Sequence, residues 1–288
     1  MSSSLIITDT CSDLPIELTD NYNIEILANT FQIDGKYFVE GVDFTPENFY
    51  EILPAKSMQI TSVYIPAAVF LDRYKNAASC GYENVFVILA GPSTIPMHES
   101  AKEAKILFNE QNPTSDMKIE IIDSGVYSMA NGLIVLNAGK LVAQKADYDT
   151  IMASIQENIK KATILVDAFH VPKLSADPTR DWDKRIKLKS YHPFPALKIR
   201  NSAATELPIL KGDHSAFDQF YAHCLEALKS NKSEYAIGYA SRKNEARAIA
   251  TLLEEDLGYP PIALYKLGAI SAHSASKAAI YICYMENN

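Results

Sequence analysis

Basic charge is scarce in this chain of 288 residues. Its 27 Lys and Arg stand against 35 Asp and Glu, a formal charge of −8. A sequence-independent nucleic-acid binder needs a basic stripe to displace counterions, so that class is excluded. Long apolar runs are missing as well: no window approaches the roughly 18 residues of a spanning helix, so no stable membrane insertion is expected. Cysteine is sparse, and Cys11, Cys80, Cys224 and Cys283 are scattered with no pair at metal-ligand spacing. Reduced thiols in a cytoplasmic protein are the expectation. The opening Met1–Leu5 has neither the charged nor the apolar region of a secretion signal, which points the same way. There is no Gly-x-Ser-x-Gly elbow and no Gly-x-x-x-x-Gly-Lys phosphate loop. His98, His170, His192, His214 and His223 show no i, i+4 zinc pattern and read as structural or exposed.

Hydrophobic residues make up 48 % and charged residues 22 %, an ordinary globular balance. The length suggests two domains with a sizeable core. Leu5–Asp9 reads as a buried strand leading into the polar turn Thr10–Pro15 and a helix start, with Ser12 or Asp13 as cap. A strand pair is expected over Ile24–Phe38, turning at Asp34-Gly35. Glu40–Asp43 reads as a loop and Thr45–Leu53 as a capped helix. Helices are then expected at Pro66–Cys80, His98–Glu110, Ser128–Lys145 and Tyr148–Lys161, and strands at Asn84–Ala90 and Lys118–Asp123. In the third of these helices Met129, Leu133, Leu136 and Leu141 fall broadly on one side. Strand, polar turn and helix recur, the signature of βαβ units on a parallel sheet. Ligands of such sheets sit at the carboxyl ends of the strands, here the loops Thr10–Asp13, Gly91–Pro96 and Ser124–Ser128.

A second half opens with the strand Thr163–Asp167. The irregular stretch Pro172–Pro195 reads as a long loop or insertion. Helices at Ser215–Lys229 and Lys243–Glu255 follow, with strands at Tyr235–Ala240, Ile262–Leu267 and Ala278–Tyr284. The boundary is placed so that residues 1–161 form one lobe and 162–288 the other.

Five segments, taken in order, resemble one family. Thr8-Asp9-Thr10-Cys11-Ser12-Asp13-Leu14-Pro15 is similar to the "DST-x-DLP" opening of the DegV family of fatty-acid-binding proteins. Phe49–Leu53 followed by Thr61-Ser62 resembles "FY-x-x-L … TSQPS", and His98-Glu99-Ser100-Ala101 closes a loop like "SSGLSGTYQSA". Ile122-Asp123-Ser124 with Ser128 and Gly132 resembles "V-x-DS…S-x-G-x-G". Gly268-Ala269-Ile270 and His273 resemble "G-x-V-x-x-H-x-GPG". The resemblance implies an α/β protein of two lobes, a parallel-sheet α/β lobe followed by an α+β lobe, with a fatty acid between them. It implies a carrier and not an enzyme, with no cofactor beyond the bound fatty acid. The carrier would present the acid's carboxylate to a separate fatty acid kinase of phospholipid metabolism. The carry-over rests most directly on Thr61, Ser62 and His273.

The departures are specific. Ile95 and Pro96 stand where the family has the Ser-Gly of "LSGTY", and that serine helps to hold the carboxylate. "TSQPS" has become Thr61-Ser62-Val63-Tyr64-Ile65, "KGGR" has no counterpart in Leu174–Arg180, and Ala275-Ser276-Lys277 replaces Gly-Pro-Gly. Ser93 and Thr94 flank the lost serine and are candidates to replace its hydroxyl. Ile95 and Met97 are candidates to face the tail. The carboxylate set is therefore Thr61, Ser62, His273, Ser93 and Thr94. Each has a plainer reading: helix capping for Thr61 and Ser62, loop polarity for Ser93 and Thr94, packing for His273. Asp9 and Asp13 read as turn and cap residues more readily than as a metal or acid–base pair. Cys11 reads as inert.

Magnitudes favour tail over head. A dozen buried methylenes are worth roughly 10 kcal/mol before costs, and one hydrogen bond to a charged group about 1.5–3 kcal/mol. Losing one head donor spoils the pose more than the affinity. Two further readings stand beside the carrier: a ligand-poor DegV paralogue acting through protein contacts, and a Ser/His hydrolase or transferase. The net charge gives little reason to adhere to anionic membranes unless a basic patch such as Lys184–Lys198 mediates it.

Overall fold

The computed structural model describes residues 3–33, 35–49, 60–91, 95–167, 196–210, 215–275 and 278–287; the side chains of 60–63, 95, 273, 274 and 275 lie outside the described residues. Four strands, β1 (Ser4–Asp9), β2 (Ile24–Leu27), β6 (Asn84–Leu89) and β7 (Lys118–Asp123), form a parallel sheet in the order β2-β1-β6-β7. Every residue of β1 and β6 is buried. That is why both read as apolar runs without alternation: helices cover both faces. On one face lie α1 (Ala67–Ser79) and α2 (Ile95–Gln111), closing a layer that includes Ile7, Phe70, Tyr74, Val87 and Phe108. The other face carries α3 (Ser128–Ala143) and α4 (Tyr148–Lys161).

The chain then enters a six-stranded mixed sheet. Its strands are β8 (Ala162–Val166), β9 (Leu197–Arg200), β10 (Ala203–Glu206), β11 (Tyr235–Tyr239), β12 (Ala263–Lys266) and β13 (Ile280–Met285), in the order β10-β9-β8-β13-β11-β12. The pair β11–β12 is parallel and the remaining pairs antiparallel. Helices α5 (Ala216–Asn231) and α6 (Lys243–Leu257) cover its outer face. Ser215 starts α5 with a capping box, its hydroxyl accepting from the Asp218 N–H. The inner face packs on α3, so one apolar core runs from Ile6 and Phe86 through Leu133 and Ile134 to Ile164, Tyr281 and Cys283. This is a parallel-sheet α/β part joined to a C-terminal α+β part, as the resemblance implied.

Several expectations are corrected. Helix α3 is not one-sided: it lies between two sheets, and Ala130, Leu133, Ile134, Val135, Leu136 and Ala138 are all buried. The region after β1 is not a helix start but two 3₁₀ turns, Thr10–Ser12 and Ile16–Leu18. Asp9 caps the first, accepting from the Cys11 N–H, and Asp13 ends it in the left-handed region at φ 49°. The expected pair over Ile24–Phe38 is three strands. β2 joins the parallel sheet, while β3 (Thr30–Ile33) and β4 (Lys36–Val39) form the hairpin, with Gly35 at φ 76° in its turn. With β5 (Ile60–Tyr64), β3 and β4 make a small antiparallel sheet in the order β4-β3-β5. Strand β5, the β9–β10 hairpin and the short helix α7 (Ala269–Ala275) were not anticipated. Residues 50–53 of the expected helix after Thr45 and the whole stretch Pro172–Pro195 lie outside the described residues.

Candidate functional site

The three loops singled out at the strand ends meet one another. The Gly91 N–H donates to the Val126 carbonyl at 2.8 Å, which joins the loops after β6 and β7. Gly91 is required there, because a Cβ would lie 2.7 Å from the backbone of Gly125. The loop after β1 reaches both neighbours through Asp9, which is fully buried. Its Oδ2 accepts from the Ala90 N–H at 3.2 Å, and its Oδ1 from the Cys11 N–H at 2.7 Å and from Asn29 Nδ2 at 3.2 Å. His98 holds the same loop, its Nε2 3.1 Å from the Ala90 carbonyl.

Above these loops sits an aromatic cluster. Phe31 and Phe44 pack edge to face with centroids 5.3 Å apart, and Phe49 lies 5.2 Å from Phe44. Cys11, Ala90, Ala269 and Ile270 complete this layer, so it joins the strand ends to α7. Burial pushes the Cys11 thiol well above its ordinary pKa, and Asp9 and Glu40 add to the shift. Such a thiol stays protonated at neutral pH.

Two carboxylates from the N-terminal part grip the start of α7. Asp13 Oδ1 accepts from the Gly268 N–H at 3.0 Å, and Glu40 Oε1 accepts from the Ala269 N–H at 3.1 Å. The other oxygen of Asp13 accepts from the Ser128 hydroxyl at 2.5 Å, and Ser128 Oγ lies 2.8 Å from the Tyr265 hydroxyl. Burial pushes the Asp13 carboxyl up to about 7. The Ser128 and Ser271 hydroxyls and the Gly268 N–H oppose the shift, and Glu40 adds to it. Ser271 stands close to Asp13 but outside ordinary hydrogen-bond geometry. Burial also raises Glu40, against the Thr10 hydroxyl and the Ala269 N–H. Beside this contact a cleft of about 460 Å³ opens between the two parts, lined by Thr10, Asp13, Glu40, Tyr239, Tyr265 and Lys266 among others.

Of the candidate head-group residues, the structure describes the backbone of Thr61, Ser62 and His273. Thr61 and Ser62 are in β5, where Ser62 pairs with Gln32 and Ile60 with Ile33. Thr61 is thus the extra residue of a bulge, a feature that re-aims a strand. His273 is in α7, between β12 and β13. The side chains of Thr61, Ser62 and His273 lie outside the described residues, as do Ser93 and Thr94 altogether. Ile95 opens α2, its side chain also outside the described residues. Met97 is fully buried in the layer between α1, α2 and the parallel sheet. Sequence reasoning missed Glu40 and gave Asp13 only a local role. No local pattern marks either, because their partners are 229 and 255 residues away. Among the described residues no cluster of His, Cys, Asp and Glu could hold a metal ion, and no helix is long and apolar enough to cross a membrane.

A family model described as "Uncharacterised protein, DegV family" matches residues 3–171. A DegV domain-containing protein of Caldanaerobacter subterraneus is 29 % identical over 164 residues, 56 % of this chain and 55 % of that protein, so the match spans about half the relative's length. Among solved structures, a stearic-acid-binding protein from Eubacterium ventriosum superposes with a TM-score of 0.82 at 17 % identity, covering 99 % of this chain and 98 % of that one. DegV of Bacillus subtilis, a fatty-acid-binding protein, superposes at 0.79 with 18 % identity over the whole of both chains.

Proposed function

The chain belongs to the DegV family, and from that premise we propose that it binds a long-chain fatty acid at the junction of its two parts and presents the carboxylate to a fatty acid kinase. The observation that carries this reading is the whole-chain likeness to the stearic-acid-binding protein of Eubacterium ventriosum. The carboxylate is held by Thr61 and Ser62 from β5, by His273 from α7 and by Ser93 and Thr94 from the loop after β6. Ile95 faces the tail, whereas Met97, the other candidate, packs in the layer under α1 and α2 and away from the junction. Ala90 just before that loop, Phe31 and Ile33 of β3, which pairs with β5, and Ala269 and Ile270 of α7 share one apolar layer, which supports this set. A hydroxyl-rich head site suits a carboxylate because hydrogen bonds to a charged acceptor are the strong ones. The protein itself does no chemistry on the acid; the kinase would transfer phosphate from ATP to the presented oxygen.

Native mass spectrometry of the purified protein tests the binding. The expected result is a mass increment of one long-chain fatty acid, carried from the cell or taken up from added oleate. Absence of both a carried lipid and oleate uptake would refute it. A second reading, a ligand-poor member acting through protein contacts, is favoured by the close packing of Phe31, Phe44 and Phe49 at the junction. The same spectrum decides between the two.

A further inference from the structure

We propose that Asp13 and Glu40 are positioning residues for the head site, fixing helix α7, which carries His273, against the ends of β1 and β6. The inference rests on the fatty-acid reading above and adds to it two residues that need not touch the ligand.

Three observations carry it. First, the two carboxylates take consecutive N–H groups, Gly268 and Ala269, at the start of α7. A helix leaves its first N–H groups without internal partners, and they are ordinarily capped from the residues just before it. Here Leu267 and Gly268 offer no side-chain acceptor, and the cap comes from the other part of the molecule. Second, the carboxylates come close enough that residue 268 must be glycine. A Cβ on Gly268 would lie 2.4 Å from Asp13 Oδ1 and 3.3 Å from Glu40 Oε1. Third, both carboxylates are themselves anchored in the head-site scaffold. Asp13 is held by Ser128 at the start of α3. Glu40 lies beside the Thr10 hydroxyl, and Thr10 in turn accepts from Asn29 Nδ2 at 2.8 Å. Asn29 donates to Asp9, whose other oxygen takes the Ala90 N–H just before the loop of Ser93 and Thr94. One hydrogen-bonded frame therefore joins Ala90, at the end of β6, to the start of helix α7.

The test compares affinities for oleate and for methyl oleate, which keeps the tail and lacks the charged head. Wild type, Asp13→Ala, Glu40→Ala, Asp13→Asn and Gly268→Ala are measured by displacement of a fluorescent fatty acid. Losing the alignment of one charged head contact weakens oleate binding by about tenfold in each alanine variant, while methyl oleate stays within about twofold of wild type. Asp13→Asn retains an oxygen acceptor for the Gly268 N–H and holds oleate within about threefold. Gly268→Ala displaces the same carboxylate from the opposite side and is expected to copy Asp13→Ala, so the test stands even where one variant does not fold. Unchanged oleate affinity in Asp13→Ala and Gly268→Ala would overturn the proposal. So would equal losses of oleate and ester, the mark of a merely structural role. Wild type binding neither ligand would instead refute the fatty-acid reading itself.

Discussion

The two faces of the parallel sheet are built from similar helices and end in different roles. The layer under α1 and α2 is closed within one stretch of chain, from Leu5 to Ile119. The layer under α3 and α4 stays open and is completed by the second sheet, so the same core includes Ile6 and Met285. One face makes a self-contained α/β layer; the other makes a joint. The difference shows where a ligand site can arise. The joint's apolar core ends at the strand termini in a polar rim of Asp13, Glu40, Ser128 and Tyr265, where the two parts meet through hydrogen bonds and a cleft.

The largest test of this comparison removes one large side chain from each layer. Phe108→Ala should cost about 3–5 kcal/mol and Leu133→Ala about 2–5 kcal/mol. Hydrogen exchange should separate them. Leu133→Ala lowers protection of β6 and β13 together, whereas Phe108→Ala lowers β6 and β7 ahead of β13. Equal patterns would erase the distinction between the faces.

Next in size is a pH effect confined to the joint. The Asp13 carboxyl is raised by burial from its ordinary value of 3.8 to about 7 in the folded protein, so the folded state holds the proton more tightly than the unfolded chain. Its contribution to stability is full below about pH 4 and is lost as pH rises through about 7. Denaturation of wild type against Asp13→Asn should therefore show wild type losing ground between these values, with a slope of no more than one proton. The neighbouring Cys11, Tyr265, Tyr281 and Cys283 are all shifted upward by burial and stay neutral in this range. Parallel profiles would show that Asp13 does not titrate there.

Tyr265→Phe removes a hydroxyl bonded to Ser128 and, at 3.6 Å, to Cys283. The expected loss in denaturant midpoint corresponds to about 1 kcal/mol. The smallest effect is at the edge of the joint, where Lys140 Nζ meets Glu234 Oε2 at 2.8 Å between two part-exposed side chains. A double-mutant cycle should give a coupling of about 0–1 kcal/mol that fades with salt. A larger coupling would move part of the joint's stability from its core to its surface.

Most of the architecture was legible in local pattern. The buried runs of β1 and β6 and the periodicity of α4 and α6 depend on near neighbours in the chain, and the family motifs supplied the two-part plan. What escaped depends on distant partners. Helix α3 looked one-sided because sequence shows that a side is apolar and not how many sheets will cover it. Helix α7 carries no capping side chain of its own; its caps are Asp13 and Glu40. β5 joins β3 across a bulge at Thr61, a register no local alternation reveals. The candidate head-group residues came from motif order, and the structure adds the frame that ties the end of β6 to the start of the helix carrying His273.

The most direct test of the head site is the NMR spectrum of oleate labelled with ¹³C at the carboxyl carbon, bound to the protein. The account predicts one bound resonance, distinct from free oleate, that moves in Thr61→Val and in His273→Ala. A spectrum with free oleate alone, or a bound resonance that neither substitution moves, would contradict it.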